Sequence, residues 1–197
     1  MWEGLSTRLE GELVVLEPLA PEHEAGLFAA ARDSDWSLMS QNAAASPGAF
    51  RAWLENALAE AAAEREVPFV TLSAASGEPI GSTRYLALRP EHRSLEIGWT
   101  WLARSAWNTG ANVEAKLLML EHAFERHGCL RVEFKTDARN EPSRRALAAL
   151  PAQFEAIFRK HMVVRDGERR DSAWYAIVDD DWPAVRANLE RRLAARR

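Results

Sequence analysis

Between Ser94 and Thr136 the chain changes its hydrophobic period twice, and that limits what it can fold into. Ser94 to Leu102 alternates as a strand does, Asn112 to His127 carries Val113, Leu117, Leu120 and Phe124 along one helical stripe, and Leu130 to Thr136 is strand-like again. The helix stops at Gly128, a good C-terminal cap residue. Strand and helix are joined by Trp107-Asn108-Thr109-Gly110-Ala111-Asn112. Successive free backbone N–H groups at a helix start, reinforced by the helix dipole, can cradle a pyrophosphate, and a glycine lets the ligand approach closely. A single Gly110 also marks any ordinary strand-to-helix turn. The loop lacks both Gly-x-Gly-x-x-Gly and Gly-Lys-Ser/Thr, which excludes a dinucleotide fold and a P-loop.

The rest of the chain supplies a sheet around this unit. Glu12 to Leu16, Pro68 to Ala74, Ile80 to Leu88, Phe154 to Arg165 and Ser172 to Val178 read as strands, the last two flanking the turn pair Asp166-Gly167. Pro21 to Arg32 and Pro47 to Arg65 read as helices, each with proline in its first turn. Asn140 caps a helix that runs to Leu150, and Asp181 caps a last one. The expected fold is α+β, a mostly antiparallel mixed sheet of about seven strands flanked by helices. With 197 residues, 47% hydrophobic and 27% charged, it is read as a single domain over residues 1–197, with a basic helix at 182–197.

Composition removes several functions. One cysteine, Cys129, allows neither an intrachain disulfide nor a Cys-based zinc site, and its place between a capping glycine and a strand suits a core thiol. His122 and His127 stand five apart, off the i, i+4 spacing of a two-histidine metal site, and are read as exposed; no metal is expected. No apolar leader or membrane span is seen, so a reduced, cytoplasmic protein is expected. A net charge of −4 argues against direct nucleic-acid binding. The last fifteen residues are the exception, with Arg186, Arg191, Arg192, Arg196 and Arg197 against Glu190. They form either a solvated helix face or a guide toward RNA, a ribosomal particle or an acidic partner.

Glu96 is the odd residue of its strand. Strict alternation sets Leu95, Ile97, Trp99 and Trp101 on one face and Glu96, Gly98, Thr100 and Leu102 on the other. A carboxylate there either serves a cleft as a base or cation-binding group, or faces solvent, or pairs with an arginine such as Arg84 or Arg131.

The order of these elements, together with Leu95-Glu96-Ile97-Gly98-Trp99, Trp107 to Glu114 and Thr136-Asp137-Ala138-Arg139-Asn140-Glu141-Pro142-Ser143, resembles the GNAT superfamily of N-acetyltransferases. Within it the chain is similar to the ribosomal-protein N-terminal acetyltransferases of the RimJ/RimL type. The resemblance implies acetyl-coenzyme A as co-substrate, with its pyrophosphate on the backbone of Asn108, Thr109, Gly110, Ala111 and Asn112, where two small positions have become asparagine. It implies that Asn140 contacts the pantetheine arm and that Ser143 lies near the thioester sulfur. A backbone N–H at Trp101, Leu102 or Ala103 would serve the oxyanion, and Glu96, directly or through water, would take the amine proton. The family's tyrosine acid falls on Leu147 and its later Gly-Phe on Pro151-Ala152. Trp36, in the Asp33 to Asn42 loop, and Tyr175, in the last hairpin, are acceptor-pocket candidates; either ring could equally be packed core. The implied acceptor is a primary amine, a protein N-terminus in this group. A small amine, or a coenzyme A-binding module without turnover, is the competing reading, and a homodimer fits the family.

Overall fold

The computed structural model describes residues 3–196, apart from the side chain of Asp166; Arg197 lies outside the described residues. Eight strands form one sheet: β1 (Leu9–Glu10), β2 (Val14–Pro18), β3 (Val67–Ser73), β4 (Pro79–Arg89), β5 (Ser94–Leu102), β6 (Arg131–Asp137), β7 (Gln153–Val164) and β8 (Glu168–Val178). They lie in the order β1-β2-β3-β4-β5-β6-β8-β7. Among the described residues only β5 and β6 are parallel neighbours. This is the expected mixed α+β sheet, and the strand that the pattern did not show is β1, two residues that are too few to display an alternation.

The helices are α1 (Glu24–Arg32), α2 (Pro47–Ala62), α3 (Ala111–Glu121), α4 (Glu141–Ala149) and α5 (Trp182–Ala194). Ser46 starts α2 by accepting a hydrogen bond from the Ala49 amide at 3.1 Å. Asn140 does the same for α4 with the Ser143 amide at 3.0 Å. Asp181 precedes α5, but its side chain makes no capping bond; its carbonyl instead accepts the amides of Ala184 and Val185. No helix among the described residues is long and apolar enough to cross a membrane.

The two faces of the sheet have separate cores. On one, Ala115, Met119 and Leu120 of α3 and Val185 and Leu189 of α5 pack over Leu16, Phe69, Leu95, Ile97, Val132 and Ile177. On the other, Leu27 and Ala31 of α1 and Phe50, Trp53 and Ala57 of α2 pack over Val70, Trp101 and Ala103. α3 continues into a π turn, His122–Arg126. Its wider turn aligns residues five apart, so the imidazoles of His122 and His127 meet with their Nε2 atoms 3.1 Å apart. His122 is therefore buried rather than exposed, at 8%. Burial lowers the pKa of both rings.

The alternation expected along β5 fails at its centre. Trp99 has φ +50°, and the pairing with β4 slips between Arg84↔Gly98 and Ser82↔Trp101, so β5 holds one extra residue there. Past this bulge the parity reverses. Thr100 and Leu102 join Leu95 and Ile97 on the α3 face, while Trp99 and Trp101 pack against the α1–α2 cluster. The parallel pairing of β5 with β6 covers only Ser94 to Glu96 against Arg131 to Glu133. Beyond it the strands part, although β6 stays paired with β8 as far as Asp137. A crevice at the carboxyl ends of parallel strands is where open sheets bind ligands. At the far edge, the tip of the β7–β8 hairpin is tied to the α1–α2 loop: the Arg165 guanidinium donates to the Ser37 carbonyl and the Arg165 amide to Ser40.

Candidate active site

The loop after β5 delivers a helix N-terminus to the crevice. Thr109 Oγ1 donates to the Ala106 carbonyl at 2.8 Å and accepts the Ala111 amide at 3.3 Å. Asn108 sits at φ +60°, a conformation asparagine tolerates, and Gly110 at φ +102°. Among the described residues the amides of Thr109, Gly110, Asn112 and Val113 meet no acceptor. Asn112 Oδ1 is likewise buried without a donor. A side chain at Gly110 would meet Leu13 at 2.9 Å and Arg196 at 3.4 Å, so this glycine faces α5 and the start of β2. Bulk at position 110 would strike that packing first.

Among Trp101, Leu102 and Ala103, the amide of Ala103 is taken by the Ile80 carbonyl at 2.8 Å. Alternation then points the Trp101 amide toward β4 as well and the Leu102 amide toward the crevice. The Leu102 carbonyl, on that same edge, accepts the Trp107 indole N–H at 2.9 Å. Across the crevice, α4 presents Ser143 in its first turn, half-buried, with a hydroxyl that no described residue engages. Asn140 spends its side-chain oxygen on the cap and keeps its NH2 group for another acceptor.

Glu96 lies on the opposite face from α3, 2% exposed. Its partner is neither Arg84 nor Arg131. Lys135 on β6 donates to Glu96 Oε2 at 2.9 Å, while Arg84 pairs with Glu66 and Arg131 with Glu133 and Glu155. A Cβ at Gly98 would lie 3.0 Å from Glu96 Oε1, so this glycine leaves the carboxylate its space. Burial pushes the Glu96 carboxyl above the usual carboxylate range, and Lys135 pulls it partway back. Lys135 also stands 5.4 Å over the Trp174 ring, which stacks on Phe158.

The two acceptor-pocket candidates are not brought together. Trp36 is 5% exposed, packs 5.2 Å from Trp101 and donates its indole N–H to Ala31, yet its outer side lines a cavity of about 440 Å³ with Arg32, Asp35 and Asn42. Tyr175 lies in the other core, 4% exposed, its hydroxyl bonded to Arg144 at 3.1 Å. Lys135 and Arg170, which join Glu96 in the structure, were absent from the sequence expectation. Lys135 announced itself faintly, as a charge alternating with Val132, Phe134 and Thr136. Arg170 gave no signal, because its neighbours depend on β8 lying between β6 and β7.

Residues 14–153 match the model of the acetyltransferase (GNAT) domain. The chain belongs to the GNAT acetyltransferase family. A structure solved as an acetyltransferase by assignment is 40% identical over 98% of this chain and 96% of its own, with a TM-score of 0.87. A GCN5-related N-acetyltransferase from Brucella melitensis is 31% identical over 94% of this chain and 85% of its own, with a TM-score of 0.87. RimJ from Mycobacterium smegmatis, solved with CoA-disulfide, shares the fold at 24% identity, a TM-score of 0.77, and 98% and 96% coverage. No curated protein matches the chain.

As a GNAT acetyltransferase the chain depends on acetyl-coenzyme A, and the parting of β5 and β6 beside unfilled helix-start amides suits such a ligand. Among the described residues no three His, Cys, Asp or Glu side chains cluster as a metal site. Cys129 is buried and its thiol is pushed up to about 11, which removes it as a nucleophile.

Proposed function

We propose that the chain, as a single catalytic domain, acetylates a primary amine, with a protein N-terminus as the acceptor. The observation that carries this reading is the separation of β5 from β6 one step past Glu96. It sets a buried carboxylate on one face of the sheet and, on the other, the first-turn amides of α3 with the Asn140 and Ser143 side chains at the start of α4, so donor and acceptor can approach from opposite sides.

In this reading the free amides of Thr109, Gly110, Asn112 and Val113 hold the pyrophosphate and the Asn140 NH2 group bonds the pantetheine arm. Acetyl-coenzyme A supplies an activated acyl group as a thioester. Glu96 accepts the proton that an ammonium must lose before it can attack, and its raised pKa makes it a better base than an exposed carboxylate. The Leu102 N–H is the donor left for the oxyanion. Ser143 donates to the departing sulfur, the role left open by Leu147. The mouth of the acceptor side lies between the Asp33 to Asn42 loop and the Arg165–Gly167 turn, which hydrogen-bond to each other. The sequence resemblance to the RimJ/RimL group is what favours a protein acceptor.

An acceptor panel of peptides with free N-termini, their N-blocked and lysine-containing controls, and small amines tests the reading by following thiol release from acetyl-coenzyme A. Transfer to free N-termini is expected. Turnover confined to small amines would replace the protein acceptor, and coenzyme A binding without transfer to any amine would make the chain a binding module.

A further inference from the structure

Arg170 is a buried cation that Asp137 and Glu96 attract from a distance, but that no described residue answers with a hydrogen bond or ion pair. It lies on β8 opposite Met162. Farther along the strand Ser172 is opposite Asp137 and Trp174 opposite Lys135, so alternation puts Arg170 on the face that holds Glu96 and Lys135. It is 8% exposed, its Nε is buried with no acceptor, and its guanidinium makes no hydrogen bond or ion pair among the described residues.

The nearby acids are committed elsewhere. Glu96 holds Lys135 at 2.9 Å. Asp137 accepts three hydrogen bonds from Arg139, which outweigh its burial and keep its pKa low. Glu168 is shared by Arg139 and Arg165. His161 adds no countercharge: its ring bonds Ser172 Oγ at 3.1 Å, and burial together with Lys135 and Arg170 lowers its pKa. Lys135, Arg139, Arg165 and Arg170 therefore face Glu96, Asp137 and Glu168, which leaves one positive charge over. Leaving a guanidinium buried and unpaired is costly, and its planar fork of donors matches a carboxylate.

We infer that Arg170 receives a carboxylate carried by the acceptor, so that the amine acetylated sits close to a negative charge on the same molecule. The vacancy is for a single charge, which fits a carboxylate better than a dianion beside Glu96 and Asp137. The inference rests on the acceptor entering on the Glu96 face. Two sources share this chemistry: the α-carboxylate of a free amino acid, and an acidic side chain beside a peptide's N-terminus.

The test uses the full chain and matched probes: L-phenylalanine with phenethylamine, and the amidated peptides Met-Glu-Ala-Ala and Met-Gln-Ala-Ala. In wild type the acid-bearing member of one pair should have a kcat/KM roughly 30-fold higher, expressed mainly in KM. Arg170→Met should erase that preference by weakening only the acid-bearing probe, and Arg170→Lys should restore part of it. The pair that shows the effect identifies the source. Equal rates within both pairs, or a preference that survives Arg170→Met, overturn the inference. Calorimetry of the same probes in saturating coenzyme A separates it from the catalytic reading. Arg170-dependent binding without acetyl transfer would keep the carboxylate site and refute acetyl transfer on the Glu96 face; no difference in binding within either pair refutes the site. Arg170→Met should fold with a melting temperature at or above wild type, because it removes an unpaired buried charge, and a fall of more than a few degrees would show that Arg170 has a structural partner after all.

Discussion

Two ionisable groups are buried against β5 on opposite faces, and they are treated differently. Glu96 has a counter-ion, Lys135, at 2.9 Å. Lys116 on α3 is 7% exposed and has only hydroxyls: its Nζ donates to Thr100 Oγ1 at 2.7 Å and Thr83 Oγ1 at 3.3 Å. Burial brings its pKa down to about 7, so near neutrality the helix-side amine gives up its charge while the acceptor-side carboxylate keeps a partner. Hydroxyls satisfy a neutral amine, but charge must be matched by charge. Beside β5, then, the acceptor face holds a paired ion and the α3 face an amine that sheds its charge.

A substitution at Glu96 should therefore appear in rate and pH profile, and one at Lys116 in stability. The largest effect is expected for Glu96→Gln, which removes the proton acceptor and leaves Lys135 without its partner. The maximal rate should fall about 10²–10⁴-fold and the acidic limb of the pH profile should vanish, with coenzyme A affinity nearly unchanged. Steady-state kinetics across pH decide this, and a wild-type acidic limb in the variant would move the base elsewhere.

Lys116→Met tests the other face. In wild type the unfolded chain binds the Lys116 proton up to about pH 10, whereas the folded protein releases it at about 7, so stability should rise with pH between these values and level off below 7. The methionine variant should be more stable at pH 7 by roughly 1–3 kcal/mol and lose that slope. Denaturant melts at pH 6, 8 and 10 measure both. A destabilised variant with unchanged slope would mean that Lys116 carries charge, and the contrast between the faces would collapse.

Ser143→Ala should lower kcat by about ten- to a hundred-fold through loss of a donor to the leaving group. Single-turnover rates suffice to see it, and an effect confined to acetyl-coenzyme A affinity would demote the residue to binding. The smallest effect is expected at Arg196, which donates to the Asn108 carbonyl beside the helix-start amides. Arg196→Ala should raise KM for acetyl-coenzyme A by only about two- to fivefold, while Arg191→Ala, exposed and farther up α5, should leave it alone. Equal shifts for both would restore the whole basic helix as a diffuse electrostatic guide. That is not the structure's tendency, since Arg186 is held by Glu121, Glu125 and Glu190, and Arg192 by the Ala149 carbonyl.

What could be read in the sequence followed the range of the forces involved. The Asn140 cap, the loop at Trp107 to Asn112 and the hairpin around Gly167 depend on neighbours a few residues away, and local pattern reveals them. The reversal of parity at Trp99 does not, because a tryptophan at positive φ is held there by packing against α2 and by the Arg84 guanidinium 5.0 Å over its ring. The π turn that joins His122 to His127 is invisible to a 3.6-residue period for the same reason. Tyr175 and Trp36 belong to separate cores because of strand order, which local pattern does not carry.

The extra residue in β5 has one more consequence. The crevice is encoded in the number of residues between Gly98 and Trp101 rather than in the identity of any one of them. Point substitutions can retune what the gap accepts, yet none of them changes that number. Deleting a residue would let β5 run straight, so the opening rests on chain length while the lining rests on side-chain identity.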